Sequence, residues 1–224
     1  MDRIQRVGIT GANGSIGRVL MAGLADRYEL KAFSRREVDF PTTLVHFDQP
    51  AQVEGAFEGL DAVIHLAADP SPMAPWASVR EHNIEAMFQV IDECVLYGVQ
   101  RMVVVSTNHT MHGNSILSTP ETLDPQKSMA MKLGDAPNPD SLYAVSKLFG
   151  EHLGKLYSEQ RGLSFIGLRI GWTIPENDPT VMRGTSAEEY MRAMFLSHRD
   201  CVQAHRRALE VDARYMLAYV VSDN

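Results

Sequence analysis

Two side chains that can move a proton lie four residues apart near the middle of the chain. Tyr143 and Lys147 occur in the segment Ser-Leu-Tyr-Ala-Val-Ser-Lys. Residues at i and i+4 share one face of a helix, so the ammonium can lie beside the phenol and favour its ionised form. The spacing therefore predicts that Tyr143 acts as a general base near neutral pH.

A glycine-rich segment close to the N-terminus follows an apolar run. Glycine lets the backbone approach a pyrophosphate closely, and the N-terminus of the following helix offers unpaired N–H groups to the anion. Such a motif is weak evidence alone, but together with Tyr143 and Lys147 it predicts a nicotinamide-dependent oxidoreductase. The predicted cofactor contacts in this segment are Gly11, Asn13, Gly14, Ser15, Ile16 and Gly17.

Short apolar segments alternate with amphipathic ones along the whole chain. This order predicts an α/β fold, a doubly wound parallel sheet with helices on both faces. We expect one domain over residues 1–224, with residues 172–210 contributing a small substrate lid. The predicted strands are 4–10, 28–33, 44–47, 61–67, 101–107, 164–170 and 215–221, and the predicted helices are 15–26, 51–58, 77–97, 141–160, 186–195 and 199–210.

In such a sheet, ligands bind beyond the carboxyl ends of the strands. The second predicted strand ends at Ser34, followed by Arg35 and Arg36, with no acidic residue to bind the adenosine ribose. The two guanidinium groups can pair with a 2′-phosphate, which predicts NADP in preference to NAD, although NAD remains possible. The alternative is that both arginines are solvated loop residues.

Polar residues also follow the third and fifth predicted strands. Asp48 can accept from the adenine amino group, or it can cap the helix that begins near residue 51. After the fifth strand, a hydroxyl close to the phenol can hydrogen-bond the reacting substrate oxygen. Thr107 is the first choice for this role and Ser106 the second, and the polar pair Asn108 and His109 follows them.

Composition excludes several other functions. The net charge of −7 and the scattered Lys and Arg residues argue against nucleic-acid binding. Apolar runs are too short to span a bilayer, and two cysteines cannot form a disulfide framework, so we expect a protein of the reducing cytoplasm. The eight histidines show no tight ligand spacing with cysteines or carboxylates, which predicts that no metal is bound.

Several motifs together resemble the extended short-chain dehydrogenases/reductases, the NAD-dependent epimerase/dehydratase family. They are the glycine turn, the Tyr-x-x-x-Lys pair, His65-Leu-Ala-Ala68, Ser106-Thr-Asn-His109 and Arg169-Ile-Gly171. Within that family, the Ser-Thr-Asn-His segment and the final Val-Ser-Asp-Asn are similar to the uronate dehydrogenases and to the haloarchaeal glucose-6-phosphate dehydrogenase. Relatives continue beyond this final segment, with a terminal helix that packs on the sheet.

The resemblance implies a Rossmann-type fold and the oxidation of a sugar (a uronate, aldose or sugar phosphate) at C1 to its lactone. Tyr143 is then the base, Lys147 binds the nicotinamide ribose, and Thr107 takes the place of the catalytic serine. Further cofactor contacts implied in this way are Leu66, Ala67, Ala68, Asn83 and Ile170, and the implied sugar contacts are Ser71, Thr107, Asn108 and His109.

Some positions depart from the resembling proteins. Trp172 stands where uronate dehydrogenases have a serine, and it would fill space near the sugar. Arg183 is either a carboxylate-binding residue or a solvent-exposed loop arginine, and Trp76 either covers the substrate pocket or fixes a loop. By analogy we expect a homodimer through helices 77–97 and 141–160. A nucleotide-sugar epimerase/dehydratase and a catalytically silent NADP-sensing protein remain the alternative functions.

Overall fold

Short apolar segments pair in parallel to form one sheet in the computed structural model, which describes residues 3–113 and 132–223. The sheet has the order β3-β2-β1-β4-β5-β6-β7. Strands β2 and β3 are added on one side of β1, and strands β4 to β7 are added on the other side, so the strand order switches between β1 and β4. This confirms the doubly wound parallel sheet. The strands are β1 Arg6–Thr10, β2 Glu29–Ser34, β3 Thr43–Leu44, β4 Ala62–His65, β5 Arg101–Thr107, β6 Ser164–Ile170 and β7 Tyr215–Val220.

Helices connect the strands and cover both faces of the sheet. The long helix predicted at 77–97 is divided, because a π-helical turn at Arg80–Glu85 separates two α-helical pieces. The helix predicted at 51–58 is shorter, since Gly55 adopts a positive φ of 74° just after its last turn. The helices are α1 Ser15–Leu24, α2 Pro50–Val53, α3 Trp76–Val79, α4 Ala86–Leu96, α5 Leu142–Arg161, α6 Glu188–Met194 and α7 His198–Glu210.

Two apolar layers hold the helices to the sheet. On one face, α2, α4 and α5 pack over a cluster that includes Phe33, Phe57 and Phe165, all fully buried. On the other face, α1 and α7 pack over a cluster that includes Leu20 and Cys201. Burying large apolar side chains on both faces stabilises the sheet and fixes the carboxyl ends of its strands at one edge. No helix in the described part of the chain is both long and apolar enough to cross a membrane.

A separate small cluster lies within residues 172–210, the segment predicted to contribute a substrate lid. Ile174, Met191 and Phe195 are buried together, with Trp172 and Met182 packed against them. We refer to residues 172–195 as the lid after this predicted role, whereas α7 belongs to the main core, where its buried residues pack in the same cluster as those of α1. The amphipathic pattern of α7 did not reveal which surface it would cover.

A buried ion pair fixes α5, the helix that carries Tyr143 and Lys147. Glu151 accepts two hydrogen bonds from Arg169 of β6, at 2.9 Å and 2.7 Å, and both side chains are under 5% exposed. Ser106 of β5 donates to the same carboxylate, and Tyr219 of β7 lies 3.0 Å from the guanidinium. The helix is therefore tied to three neighbouring strands, which sets its position along the sheet.

Candidate active site

The glycine turn between β1 and α1 has no room for larger side chains. Gly11 has a φ of +68°, and a Cβ atom there would lie 2.9 Å from the backbone nitrogen of Ala67. A Cβ at Gly17 would lie 2.4 Å from the carbonyl oxygen of Gly11. Helix α1 begins at Ser15 without a side-chain cap. Its first N–H groups are thus available to an anion, as a pyrophosphate site requires.

A threonine hydroxyl holds the carboxyl ends of β1 and β4 together. The Oγ1 atom of Thr10 accepts from the backbone nitrogens of Leu66 and Ala67, at 3.1 Å and 3.2 Å. It lies 2.9 Å from Nδ1 of His65, which is a buried core residue. Burial is the main reason that the pKa of His65 falls to about 3, with the nearby Lys147 charge adding to the effect. The floor beneath the glycine turn is therefore fixed and uncharged.

One cleft collects the predicted cofactor residues except Asn83. The lining brings together the glycine turn, the end of β2, the segment after β4 and the two α5 residues Tyr143 and Lys147. The predicted residues along it are Gly11, Asn13, Gly14, Ser15, Ile16, Gly17, Ser34, Arg35, Arg36, Asp48, Leu66, Ala67, Ala68, Tyr143, Lys147 and Ile170.

Asn83 lies behind the cleft and makes a structural contact. Its side-chain amide donates to the Asp69 carbonyl and to Ser146 Oγ, and its oxygen accepts from the Asp69 nitrogen at 2.7 Å. Both donors are used by the protein, so the side chain is a brace between the segment after β4 and α5, and its direct contact with the cofactor stays a prediction. The brace holds Ser146, which neighbours Lys147.

The end of the cleft beside β2 contains both arginines. Ser34 is buried, and its hydroxyl accepts from the backbone nitrogen of Arg36. Arg35 and Arg36 are exposed at the rim, and within residues 3–113 and 132–223 neither forms an ion pair. Asp48 is not the helix cap that we considered, because the cap position of α2 is Gln49. The carboxylate of Asp48 faces the cleft instead, 3.9 Å from Nδ1 of His82.

The reacting groups meet where β5 approaches α5. Thr107 and Tyr143 are buried, and the Thr107 side chain is close enough to the phenol to influence its pKa. The ammonium of Lys147 donates to the Val105 carbonyl at 2.9 Å and lies 5.7 Å from the centre of the Tyr143 ring. A hydroxyl, a phenol and an ammonium are thus arranged in one small volume at the end of the cleft.

The pKa of the phenol differs from the sequence-based expectation. Burial raises the pKa of Tyr143 to about 12, and the neighbouring Thr107 side chain only partly opposes this. Lys147 does not overcome the effect, because it is directed to the Val105 carbonyl and burial lowers its own pKa to about 8. The i and i+4 spacing predicted the proximity of the two groups but not the desolvation that burial adds.

Ser106, the second candidate for the catalytic hydroxyl, points to another partner. Its hydroxyl donates to Glu151 at 2.6 Å, within the buried ion pair that fixes α5. Thr107 instead begins the 3-10 turn Asn108–Thr110, where its oxygen also accepts from the His109 nitrogen. The two neighbouring residues therefore have separate tasks, and Thr107 is the one beside the phenol.

A polar and aromatic network extends from Thr107 toward the lid. Asn108 accepts from the Thr107 hydroxyl and donates to the hydroxyl of Tyr190 on α6. His109 lies 2.7 Å from Asp140, and its ring centre is 6.1 Å from that of Tyr143. Asn108 and His109 thus lie beside the Tyr143 phenol, where a substrate oxygen would meet it.

The remaining predicted sugar contacts are placed unevenly. The ring of Trp172 lies 5.8 Å from that of Tyr190, so it joins the network through the lid. Ser71 is exposed and accepts from the Met73 nitrogen, and Trp76 is 56% exposed at the start of α3. Arg183 is exposed at the end of a 3-10 turn, and in the described residues it makes no side-chain hydrogen bond or ion pair, which agrees with a loop arginine.

The sequence around these site residues matches a known protein family. The model of the NAD dependent epimerase/dehydratase family matches residues 7–185, from β1 to just after the 3-10 turn at Pro179–Met182. The chain belongs to this family.

Individual members of the epimerase/dehydratase family are also similar over most of the chain. An L-arabinose 1-dehydrogenase (NAD(P)(+)) of Haloferax volcanii is 40% identical, over 92% of this chain and 82% of that protein. An NAD-dependent glucose-6-phosphate dehydrogenase of the same organism is 33% identical, over 98% and 86%. The crystal structure of uronate dehydrogenase from Agrobacterium tumefaciens has the same fold, with a TM-score of 0.80 at 24% identity, over 98% of this chain and 77% of that one.

Three network residues were not identified from the sequence. They are His112, which lies 2.7 Å from Asp140, Asp140 itself, and Tyr190, whose ring centre is 4.9 Å from that of His112. The spacing of His109 and His112 was visible in the sequence, as was the position of Asp140 three residues before Tyr143. The sequence does not show that they contact one another, because the contacting residues are 28 to 82 positions apart in the chain.

Proposed function

We propose that the protein is an NAD(P)-dependent sugar dehydrogenase that oxidises an aldose at C1 to the lactone. The observation that carries this proposal is the arrangement of Thr107, Tyr143 and Lys147 at the end of a cleft that begins at a glycine turn and an uncapped helix N-terminus. The same cleft brings hydride-transfer groups and dinucleotide-binding groups together, as a family member of this activity requires.

Each step of the proposed proton transfer has a residue that performs it. The Thr107 hydroxyl donates to the substrate oxygen, and the Tyr143 oxygen takes the proton of the C1 hydroxyl group as a hydride leaves C1. When bound, the cofactor supplies the hydride acceptor and a positive charge on its oxidised ring, which offsets the burial that raises the pKa of Tyr143. Lys147, fixed by the Val105 carbonyl, adds a second positive charge behind the phenol.

Charge near the reacting groups favours an uncharged aldose. Asp140 contacts His109 in the substrate network, and its carboxylate would repel a uronate or a sugar phosphate. In the part of the chain that the structure describes, no lysine or arginine contacts Asn108, His109 or Tyr190. The 40% identity with an L-arabinose 1-dehydrogenase supports the same substrate class.

The cofactor preference proposed from the sequence is for NADP. Arg35 and Arg36 are exposed at the rim of the cleft beside Ser34, where a 2′-phosphate would lie. Arginine pairs well with phosphate oxygens because its N–H groups are arranged as a fork. We expect Arg35→Ala to raise the Michaelis constant for NADP about tenfold and to leave that for NAD within about twofold. An unchanged NADP constant would contradict the proposed role of Arg35.

A cytoplasmic homodimer is the proposed form of the protein. Support for the dimer comes from large apolar side chains on adjacent helices, namely Phe88 of α4 and Val145 and Leu156 of α5, each 44% to 48% exposed. Two free buried cysteines, Cys94 and Cys201, fit a reducing compartment. Light scattering of the purified protein tests the dimer, since twice the chain mass is expected and the mass of one chain would contradict it.

The experiment that tests the activity measures reduction of NADP and NAD with a panel of free aldoses, uronates and sugar phosphates. We expect reduced nicotinamide to accumulate with a free aldose, with kcat/KM at least about tenfold above that for any uronate or phosphate. Faster turnover of a charged sugar would contradict the substrate class while leaving the dehydrogenase activity in place.

The alternatives give different results in the same experiment. A nucleotide-sugar epimerase would convert its substrate without net accumulation of reduced nicotinamide. A silent NADP-sensing protein would bind the cofactor but give no turnover with any sugar, in the native chain or in Tyr143→Phe. Either result would overturn the proposed dehydrogenase.

A further inference from the structure

Three side chains of the types that bind transition metals converge beside the catalytic tyrosine. His109 and His112 lie on and just after the 3-10 turn that follows β5, and Asp140 lies in the segment before α5. The Nδ1 atom of each histidine is 2.7 Å from the same oxygen, Oδ2 of Asp140. All three ligand atoms lie within 4.8 Å of one another.

This spacing is close to that of a metal site. Zinc binds histidine nitrogens and carboxylate oxygens at about 2.0–2.2 Å, which places neighbouring ligands about 3.3 Å apart in a tetrahedron. The two nitrogen–oxygen distances are already shorter than this, and the ligand nitrogens, which lie within 4.8 Å of one another, need to approach by at most about 1.5 Å.

The surroundings of the cluster also suit a bound ion. Oδ1 of Asp140 accepts from the Ser141 hydroxyl at 2.8 Å, a contact that orients the carboxylate from behind as outer partners do in metal sites. The three side chains are 13% to 23% exposed, so they are shielded from bulk water but still reachable by an ion. The ring of Tyr190 covers His112 on the lid side.

We propose that His109, His112 and Asp140 bind a divalent transition-metal ion of the zinc class. Two imidazole nitrogens and one carboxylate oxygen supply three ligands, and a solvent molecule completes a four-coordinate site. Because the His109 ring lies 6.1 Å from that of Tyr143, the ion occupies part of the sugar position and inhibits turnover by competition with the sugar. That inhibition rests on the proposed function, whereas the binding of the ion does not.

The test measures metal binding directly. The full chain, treated with a chelator and then freed of it, is titrated with Zn²⁺ by calorimetry and with Co²⁺ by visible absorption. We expect one ion per chain in both titrations, and the intense visible bands of cobalt in a four-coordinate site. Neither readout depends on sugar turnover, so a failure of the proposed activity would leave this result interpretable.

Variants locate the ion. We expect His112→Ala and Asp140→Asn each to weaken zinc binding at least about tenfold, because each removes one of three ligands. The matched control is His152→Ala, which removes an exposed histidine of α5 outside the cluster and should bind zinc as the native chain does. Nicotinamide cofactor binding and the far-ultraviolet circular dichroism spectrum verify that each variant is folded.

Three results would contradict the proposed metal site or its placement. Unchanged zinc affinity in both His112→Ala and Asp140→Asn would place any bound ion elsewhere, and an absence of heat and spectral change in the native chain would show that Asp140 serves only as a hydrogen-bond acceptor. Should His112→Ala fail to fold, His112→Gln removes the imidazole with less loss of volume. Zinc inhibition that is not competitive with the sugar would refute the placement of the ion in the sugar position.

Discussion

The cofactor side and the substrate side of the cleft are built in different ways. At the glycine turn of the cofactor side, the shape comes from the backbone of one short segment, in which Gly11 and Gly17 permit close packing that a Cβ atom would prevent. On the substrate side, the shape comes from side chains of separate segments, such as Asn108 and Tyr190, which are 82 residues apart. The glycine turn is local in the sequence, whereas the substrate side is assembled only by folding.

The two regions also differ in how they treat histidine. His65, beneath the cofactor side, is fully enclosed and its pKa falls to about 3. Burial also lowers the pKa of His112 on the substrate side, but there a hydrogen bond to the Asp140 carboxylate opposes the shift. The floor beneath the glycine turn therefore excludes charge, whereas the substrate side retains a carboxylate and two imidazoles that can interact with a polar ligand.

This difference explains how one fold can serve several sugars. A dinucleotide held mainly by backbone groups tolerates most side-chain substitutions, provided that the glycines remain. A sugar held by a side-chain network changes partners when single residues such as Tyr190 or Trp172 change, without effect on the turn that holds the cofactor. Substitutions in the two regions should therefore separate into effects on cofactor binding and effects on the sugar.

The largest expected effect comes from removing the base that joins the two regions. Tyr143→Phe deletes the buried hydroxyl beside Thr107. We expect kcat to fall about 10²–10⁴-fold, because proton abstraction is lost, with the cofactor dissociation constant unchanged within about twofold. Steady-state assays of turnover measure kcat, and a fluorescence titration with the reduced cofactor measures its dissociation constant.

A tyrosine elsewhere on the same helix provides the control. Tyr157→Phe also removes a hydroxyl from α5, but that hydroxyl donates to Asp92, away from the cleft. Its kcat should stay near that of the native chain. Equal losses in Tyr143→Phe and Tyr157→Phe would mean that the effect is structural and that Tyr143 is not the base.

The next effect should be confined to the cofactor side. In Gly17→Ala, the new Cβ atom would lie 2.4 Å from the Gly11 carbonyl oxygen, so the turn must open. Overpacking of this kind costs about 1–3 kcal/mol, which predicts cofactor binding weakened roughly 5–160-fold. Gly134→Ala is the control, since a Cβ there meets nothing within 4 Å. Native cofactor affinity in Gly17→Ala would show that the turn does not need its glycine spacing.

The fold was predictable because its signals are local. Each strand is a short apolar run, and the alternation with helices was sufficient to predict the parallel order that the structure confirms. The boundaries that failed depend on backbone or tertiary detail. The π-helical turn at Arg80–Glu85 leaves no mark on a helical pattern, and the assignment of α7 to the main core depends on the partner surface offered by α1.

The candidate site divides in the same way. The glycine turn and the pair Tyr143 and Lys147 were visible because each lies within one short motif. The role of Asn83 as a brace, and the contacts of Asp140 with two histidines, depend on segments that meet only in the folded chain. Desolvation of the phenol was likewise invisible, since it depends on how much protein surrounds Tyr143.

A smaller effect, on stability, tests the enclosed histidine of the cofactor side. Its folded pKa of about 3 lies below the ordinary 6.5, so below pH 6.5 the unfolded chain takes up a proton that the folded chain refuses. The stability present above pH 6.5 is therefore lost as the pH falls toward 3, by about 1.4 kcal/mol at pH 5.5. We expect His65→Asn to remove this part of the decline in the free energy of unfolding.

Urea denaturation of both chains at several pH values between 7.5 and 5 measures the slope. The test is the difference in slope rather than the stability at one pH, because the substitution also disturbs the contact with Thr10. Identical slopes would mean that His65 accepts a proton in the folded chain, and the floor of the cofactor side would then not be sealed against charge.

The smallest expected effect belongs to the substrate side and tests the separation of the two regions most directly. Tyr190→Phe keeps the ring that lies against His112 and Trp172 but removes the hydroxyl that accepts from Asn108. Loss of one hydrogen bond of about 0.5–1.5 kcal/mol predicts a KM for the sugar about 2–12-fold higher. The cofactor dissociation constant should not change, because Tyr190 does not line the cofactor cleft.

Tyr97→Phe is the matched substitution for this test, since Tyr97 ends α4 near Gly55, in a different part of the molecule. Steady-state kinetics with the sugar varied at saturating cofactor, and then the reverse, give both constants for each chain. If Tyr190→Phe weakened cofactor and sugar binding equally, the lid would be coupled to the whole cleft. The sugar would then not be selected independently of the cofactor, and single substitutions in the network would not be free to change the substrate alone.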